Sequence, residues 1–143
     1  FTHNQCEPSV KHRGFTTETQ VVCRIEGQPG QDYLVTIFPR KADEPRPVVS
    51  SWCGEHGVKL AWAGETHYVL LAMQAQTVKM DGIEATASAL IVKVKDGKNF
   101  TISLPAGGAA RFAGKKVEGK GPVELQVVNG KAKTVAGKDL IPR

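Results

Sequence analysis

The sequence predicts an all-β protein, an antiparallel β-sandwich or barrel of about 8–10 strands forming a single domain over residues 1–143. Two observations lead to this prediction. Apolar residues alternate with polar ones over much of the chain, as strands with one buried face require. Turn residues, above all glycine after aspartate or asparagine, recur between the alternating runs at intervals typical of hairpins. A chain of 143 residues is also long enough to bury a core of its own.

The first predicted hairpin covers residues 20–38. Apolar and polar positions alternate over residues 21–26, and residues 33–38 are rich in β-branched and aromatic side chains. A Pro-Gly turn lies between the two runs at Pro29 and Gly30. Three prolines then predict a long loop over residues 39–48, and alternation resumes at residues 58–62, where we expect the next strand.

The clearest hairpins lie in the second half of the chain. Alternating runs flank Asp96-Gly97, and a second pair of runs flanks Asn129-Gly130. A type I′ turn needs positive φ at both central residues, which asparagine, aspartate and glycine tolerate best. The two dipeptides therefore predict hairpins over residues 90–104 and 123–135, and Asp81-Gly82 predicts a third turn of the same kind.

Residues 65–80 admit two interpretations. Apolar residues spaced three or four positions apart, with Thr66 as an N-cap, predict one short helix. The apolar run over residues 68–73 instead fits a strand that is buried on both faces. Both interpretations are compatible with an otherwise all-β domain.

Charge is distributed unevenly along the chain. The net charge is +5, from 19 Lys and Arg against 14 Asp and Glu. Residues 1–104 hold 11 basic and 11 acidic side chains, whereas residues 105–143 hold 8 basic and 3 acidic ones. The whole excess therefore lies in a basic C-terminal segment, 105–143, which favours an anionic partner. No apolar run approaches the 18 or so residues of a membrane-spanning helix.

Two stretches are candidate binding surfaces: the proline-rich loop 39–48 and the Gly/Lys-rich segment 107–121. Glycine would let the backbone approach a ligand, and Lys and Arg would supply charge. The alternative is that these lysines only guard strand edges against aggregation. Aromatic residues are rare in the basic segment, which disfavours stacked bases. The candidate binding residues are Arg40, Lys41, Arg46, Trp52, Arg111, Lys115, Lys116, Lys120, Lys131 and Lys133.

Two short cysteine and histidine pairs are candidate metal ligands. His3 and Cys6 are three residues apart, as are Cys53 and His56. Together they would supply the two thiolates and two imidazoles of a closed zinc site. The alternative is a disulfide that joins Cys6 to Cys53 and leaves both histidines exposed. If Phe1 is a natural mature terminus, its amine and the His3 imidazole could instead chelate Cu(II).

The function that these features favour is binding without catalysis. We expect a secreted or periplasmic module that recognises a protein or polyanionic partner through loops and a basic C-terminal face. One alternative is a β-barrel that binds single-stranded nucleic acid. A second is a small hydrolase or protease with Cys53 as its nucleophile and His56 or His67 as its base, although no catalytic motif marks such a pair.

Overall fold

The computed structural model describes residues 2–6, 18–22, 43–62 and 64–136. The chain divides into two compact units, Phe1–Gln31 and Asp32–Arg143. In the first unit, β1 (Thr2–Cys6) pairs antiparallel with β2 (Glu18–Val22). Most of the hairpin predicted over 20–38 lies outside the described residues, and the single domain over 1–143 stays a prediction.

The described part of the second unit is a single antiparallel sheet of nine strands with one short 3-10 turn. The predicted all-β antiparallel fold is confirmed, and the sheet is not closed into a barrel. The main strand order is β11-β10-β7-β6-β5-β4-β3, while β8 pairs with β6 and β9 with β8. The elements are β3 (Val48–Ser51), the 3-10 turn (Gly54–His56), β4 (Gly57–Trp62), β5 (Glu65–Met80), β6 (Ile83–Asp96), β7 (Asn99–Leu104), β8 (Gly108–Phe112), β9 (Lys115–Gly119), β10 (Val123–Val128) and β11 (Lys131–Ala136).

The helix predicted as an alternative over residues 65–80 is wrong, because the whole segment is strand β5. Tyr68 and Leu70 are buried two residues apart, whereas Leu71, which the helical pattern places on the apolar side, is 57% exposed. Pairing with β6 over almost the full length of the strand overrides the local helical spacing.

Strands β5 and β6 share a large irregularity near their middle. Leu71 pairs with Ala89 and Gln76 with Ala87, so residues 72–75 of β5 lie opposite one residue of β6, Ser88. Burial on β6 changes phase at the same place: residues 83, 85 and 87 are buried, and then residues 90 and 92. A bulge of this size bends both strands, since the extra residues lengthen one side of the ladder.

The bend folds the sheet into two layers. The rings of Phe100 on β7 and Phe112 on β8 are 5.1 Å apart and nearly perpendicular. Their strands join β6 at distant points, because Phe100 pairs with Val94 and the neighbour of Phe112, Arg111, pairs with Glu84. Ten residues of straight strand would separate those points by about 33 Å. The sheet therefore turns back on itself as a sandwich, which is one of the two predicted architectures.

The first layer contains β3, β4, the start of β5, the end of β6, β7, β10 and β11. The second contains the end of β5, the start of β6, β8 and β9. One continuous cluster of buried side chains fills the space between them. Its least exposed members are Trp52, Leu70, Ile83, Leu90, Val92, Ile102, Leu104 and Val127.

The predicted turns differ in geometry. Asn129-Gly130 and Asp81-Gly82 have positive φ at both residues, as predicted. The hairpin at Asp96-Gly97 is confirmed, but neither residue has positive φ. Here the Asp96 carboxylate accepts hydrogen bonds from the backbone N–H of Lys98 and of Asn99, both at 2.7 Å. These bonds stabilise a different turn. The side-chain amide of Asn99 also donates to the Asp96 carboxylate, and this bond, followed by the backbone bonds, lowers the pKa of Asp96.

A tight turn at residues 52–57 precedes β4. The backbone N–H of Trp52 donates to the carbonyl of Gly57 at 3.0 Å, and Cys53 adopts a left-handed conformation with φ of 51°. A Cβ at position 57 would overlap the carbonyl oxygen of Trp52 and lie 2.5 Å from Sγ of Cys53. Glycine is therefore required at position 57 by the close approach of the backbone.

We expect Gly57→Ala to lower the free energy of unfolding by about 2 kcal/mol or more, because the carbonyl oxygen of Trp52 belongs to the backbone and cannot rotate away from the added Cβ. The matched control is Gly97→Ala, where a Cβ meets nothing within 4 Å and φ is not positive. That control is expected to change stability by less than about 0.5 kcal/mol. Urea unfolding of both variants tests the requirement, and equal stabilities would contradict it.

Candidate polyanion-binding face

The register of the first layer places lysines from distant parts of the chain in one row. His67 pairs with Lys93, Lys93 with Thr101, Thr101 with Gln126, and Gln126 with Lys133. The residues that precede or follow them along each strand are buried in the core: residues 92, 100, 102, 125 and 127. Because side chains alternate across a strand, this row lies on the outer face of the layer.

Two more lysines extend this row. Lys131 lies two residues before Lys133 on β11, and Lys95 two residues after Lys93 on β6. Residues two apart on a strand lie about 7 Å apart, and β6 and β11 are separated by three strand spacings of about 4.8 Å each. We call this surface the lysine face. Its members are Lys93, Lys95, Thr101, Gln126, Lys131 and Lys133, and its four lysines are all exposed.

A shallow hollow lies at one end of the lysine face. It has a volume of about 350 Å³, and its lining includes Lys93, Lys95, Asn99, Thr101 and Glu65. The hollow brings two of the four lysines next to neutral hydrogen-bonding groups. An anionic group placed there would contact charge and polar side chains together.

The four lysines of this face have no ion-pair partner within 4.0 Å among the described residues. Asp96, which is next to Lys95, accepts hydrogen bonds from Lys98 N–H and from Asn99, and two further carboxylates near the face bind neutral partners. Glu124 accepts hydrogen bonds from Ser103 and from Gln126, both at 2.6 Å. Glu65 lies 3.2 Å from the imidazole of His67. The positive charge of the face is therefore not neutralised internally.

Three lysines elsewhere in the sheet are paired with carboxylates. Lys59 lies 3.2 Å from Asp81 and over the ring of Tyr68. Lys116 lies 2.6 Å from Glu118, and Lys79 lies 3.9 Å from Glu84. The four lysines of the face differ in this respect from Lys59, Lys79 and Lys116. Lys98, Lys115 and Lys120 also lack an ion pair in the described structure, but they do not share a row with one another.

His67 borders the lysine face and is half-buried. Its ring packs edge-on against Trp62, with centroids 4.5 Å apart. Burial lowers the pKa of His67 by more than the hydrogen bond with Glu65 raises it, and the charge of Lys93 lowers it further. The imidazole is therefore neutral at pH 7.

The other predicted basic residues lie elsewhere. Arg111 and Lys116 pair in register on the outer face of the second layer, and Lys115 pairs with Phe112. Arg46 and Lys120 are exposed in loops, while residues 40 and 41 lie outside the described residues. The basic segment therefore divides between two outer faces. The sequence pattern predicted Lys131 and Lys133 as binding residues but not Lys93 and Lys95. The alternation of the hairpin that contains Lys93 and Lys95 was the signal that could have identified them, because it places both on one face.

Trp52 was expected to be a contact residue, and this expectation is wrong. The side chain is 2% exposed and packs against Tyr68 with ring centroids 5.2 Å apart. The tight turn closed by Gly57 directs the indole into the core. Its neighbours Ser51 and Cys53 gave no sequence signal for this burial, because the alternation of β4 begins only after the turn.

The described residues give Cys53 a free thiol, so the expected disulfide of this cysteine is absent from the structure. Burial raises the pKa of Cys53, which disfavours the thiolate that a nucleophile needs. The described side chains contain no group of three that could hold a metal ion. The side chains of His3 and Cys6 lie outside the described set, so the zinc and copper sites stay predictions.

Comparison with known proteins adds no identity to this arrangement. No family model, curated protein or solved structure matches the chain. Within the described ranges, no helix has the length and apolar character needed to span a bilayer. The secreted or periplasmic location stays a prediction.

Stability is expected to fall at acid pH in a way that depends on His67. The folded-state pKa of His67 lies below its ordinary value of 6.5. The contribution of the neutral imidazole to the free energy of unfolding is therefore fully present above pH 6.5. It is lost as the pH falls below 6.5 toward the folded-state pKa, since the unfolded chain binds the proton first. Urea unfolding at pH 8 and pH 5.5 should show a larger loss for the wild type than for His67→Gln. Equal losses would contradict this assignment.

Proposed function

We propose that this chain is a non-enzymatic binding module and that the lysine face holds a polyanionic macromolecule. The observation that supports the proposal is the set of four exposed lysines on one face of the first layer, none paired with a carboxylate in the described structure. A polyanion that contacts them would release its condensed counterions, which favours binding at low salt.

Protection of a strand edge does not account for this arrangement. Lys131 and Lys133 lie on β11, the outermost described strand on its side of the sheet, where lysine commonly prevents edge-to-edge pairing. Lys93 and Lys95 lie on β6, which is paired on both sides along most of its length. A central strand has no edge to protect, so these two lysines favour an electrostatic role.

The side-chain chemistry of the lysine face favours recognition of the charge density of a ligand over recognition of a particular nucleotide or residue sequence in it. Lysine is a flexible point charge without the planar fork with which arginine reads one carboxylate or phosphate. Between the lysines lie the neutral polar side chains of Thr101 and Gln126. Aromatic rings on which bases could stack are absent from the six residues of the face, and Trp62 is already packed against His67. An anionic glycan or an acidic protein segment therefore fits this face better than single-stranded nucleic acid.

Binding to heparin, measured against salt concentration, tests this function. We expect a slope of log affinity against log salt near 4 for the wild type, because each of the four lysines displaces about one counterion. Lys131→Gln/Lys133→Gln and Lys93→Gln/Lys95→Gln should each reduce the slope by about 2. The affinity of each double variant at low salt should fall at least tenfold.

The matched control is Lys79→Gln/Lys116→Gln, which removes the same charge from lysines of the second layer that already pair with carboxylates. This control should keep the wild-type slope to within about 1. If the control and the two lysine-face variants lose the same affinity, net charge rather than the lysine face determines binding. Tighter binding to a single-stranded oligonucleotide than to heparin would favour the nucleic-acid alternative.

A further inference from the structure

The outer face of the second layer contains a groove that the lysine face does not include. Two rows of paired residues form it. Lys79, Glu84, Arg111 and Lys116 make one row across β5, β6, β8 and β9, and the other consists of Thr77, Thr86, Ala109 and Glu118. All of these residues except Glu118 line a groove of about 430 Å³, within the range of small-ligand sites.

The groove follows from the choice of side chains at two neighbouring outer positions of β8. Ala109 is small, whereas Arg111 and the residue paired with it, Lys116, are long. The short side chains of Thr77 and Thr86 continue the floor from Ala109 across two more strands. A low floor beside a row of long side chains gives a depression with a polar wall.

Arg111 is the one cation of this wall without a carboxylate partner among the described residues. Glu84 is directly opposite it, but its Oε1 lies 3.9 Å from Nζ of Lys79 on the other side. Lys116 lies 2.6 Å from Glu118, and this contact lowers the pKa of that carboxyl. The groove therefore offers one unpaired guanidinium beside two ion pairs.

The floor supplies neutral hydrogen-bonding groups. The hydroxyl oxygens of Thr77 and Thr86 are 3.4 Å apart, at the long end of hydrogen-bonding distance. Each hydroxyl can donate one hydrogen bond and accept others. The methyl group of Ala109 lies in the same row and contributes an apolar surface.

We propose that this groove binds a small monocarboxylate whose body carries hydroxyl groups, such as a sugar acid. Arg111 binds the carboxylate through two parallel N–H donors, the geometry in which guanidinium and carboxylate match. Thr77 and Thr86 bind hydroxyl groups of the body. Glu84 and Glu118 are already paired with Lys79 and Lys116, so the groove offers one unpaired positive charge, which matches a monocarboxylate better than a dianion such as phosphate.

Calorimetric titration with three probes tests this site: glucuronate, glucose and inorganic phosphate. Glucuronate and glucose share a ring and differ in the carboxylate. We expect saturable binding of glucuronate, with glucose and phosphate each at least tenfold weaker. Equal binding of glucose, or tighter binding of phosphate, would overturn the assignment of a carboxylate ligand.

Variants locate the site. Arg111→Gln should weaken glucuronate binding at least tenfold, and Arg111→Lys, which keeps the charge but not the fork, should restore only part of the loss. The matched control Lys131→Gln removes one charge from the lysine face and should change the affinity less than twofold. If Arg111→Gln and Lys131→Gln have the same effect, the groove is not the site. Because Arg111 is exposed, both variants are expected to fold, and urea unfolding verifies this.

The experiments distinguish failure of the proposed carboxylate site in the groove from failure of the proposed polyanion site on the lysine face. Heparin binding depends on Lys93, Lys95, Lys131 and Lys133, none of which lines the groove, whereas glucuronate binding depends on Arg111. Thr77→Val/Thr86→Val removes both hydroxyls with little change of shape. It should weaken glucuronate severalfold and leave heparin binding unchanged; an unchanged glucuronate affinity would overturn the role of the floor.

Discussion

The bend of the β5–β6 hairpin is the constraint on which the rest of this structure depends. Residues 72–75 have only Ser88 opposite them, and both strands change direction there. Without the bend, β6 would hold Phe100 of β7 and Arg111 of β8 about 33 Å apart along one flat sheet. With it, Phe100 contacts Phe112, and the apolar faces of the two layers cover each other. Among the described residues of the second unit, a single sheet thereby buries one of its faces against itself.

The same bend determines where the charges lie. Core packing fixes which residues of each strand point inward, so the residues between them must point outward. On the first layer this places Lys93 and Lys133 in one row, and on the second it places Arg111 beside Lys116. The two rows lie on outer faces of different layers. A basic segment that is continuous in sequence therefore becomes two separate surfaces with different chemistry.

Much of the sheet could be predicted from the sequence, because alternation and turn chemistry are local signals. Asn129-Gly130 fixed the register that brings Lys131 and Lys133 onto one face. The rest depends on contacts between distant residues. The burial of Trp52 follows from a close approach at Gly57, and the alignment of Lys93 with Lys133 follows from the pairing of β7 with β10. Neither the burial of Trp52 nor the alignment of the two lysines produces a residue pattern within one segment of the chain, so local alternation could not predict them.

The unpaired lysines are not explained by a shortage of carboxylates. Glu124 lies in the row next to Gln126, within the same layer as Lys93 and Lys133, yet it binds Ser103 and Gln126. An incoming anion would therefore not have to break an existing ion pair, and each contact it makes would add to the binding free energy. On the second layer Lys79 and Lys116 are already paired, so a polyanion there would compete with the protein's own carboxylates. The difference between the two faces thus lies in which partners the carboxylates already have.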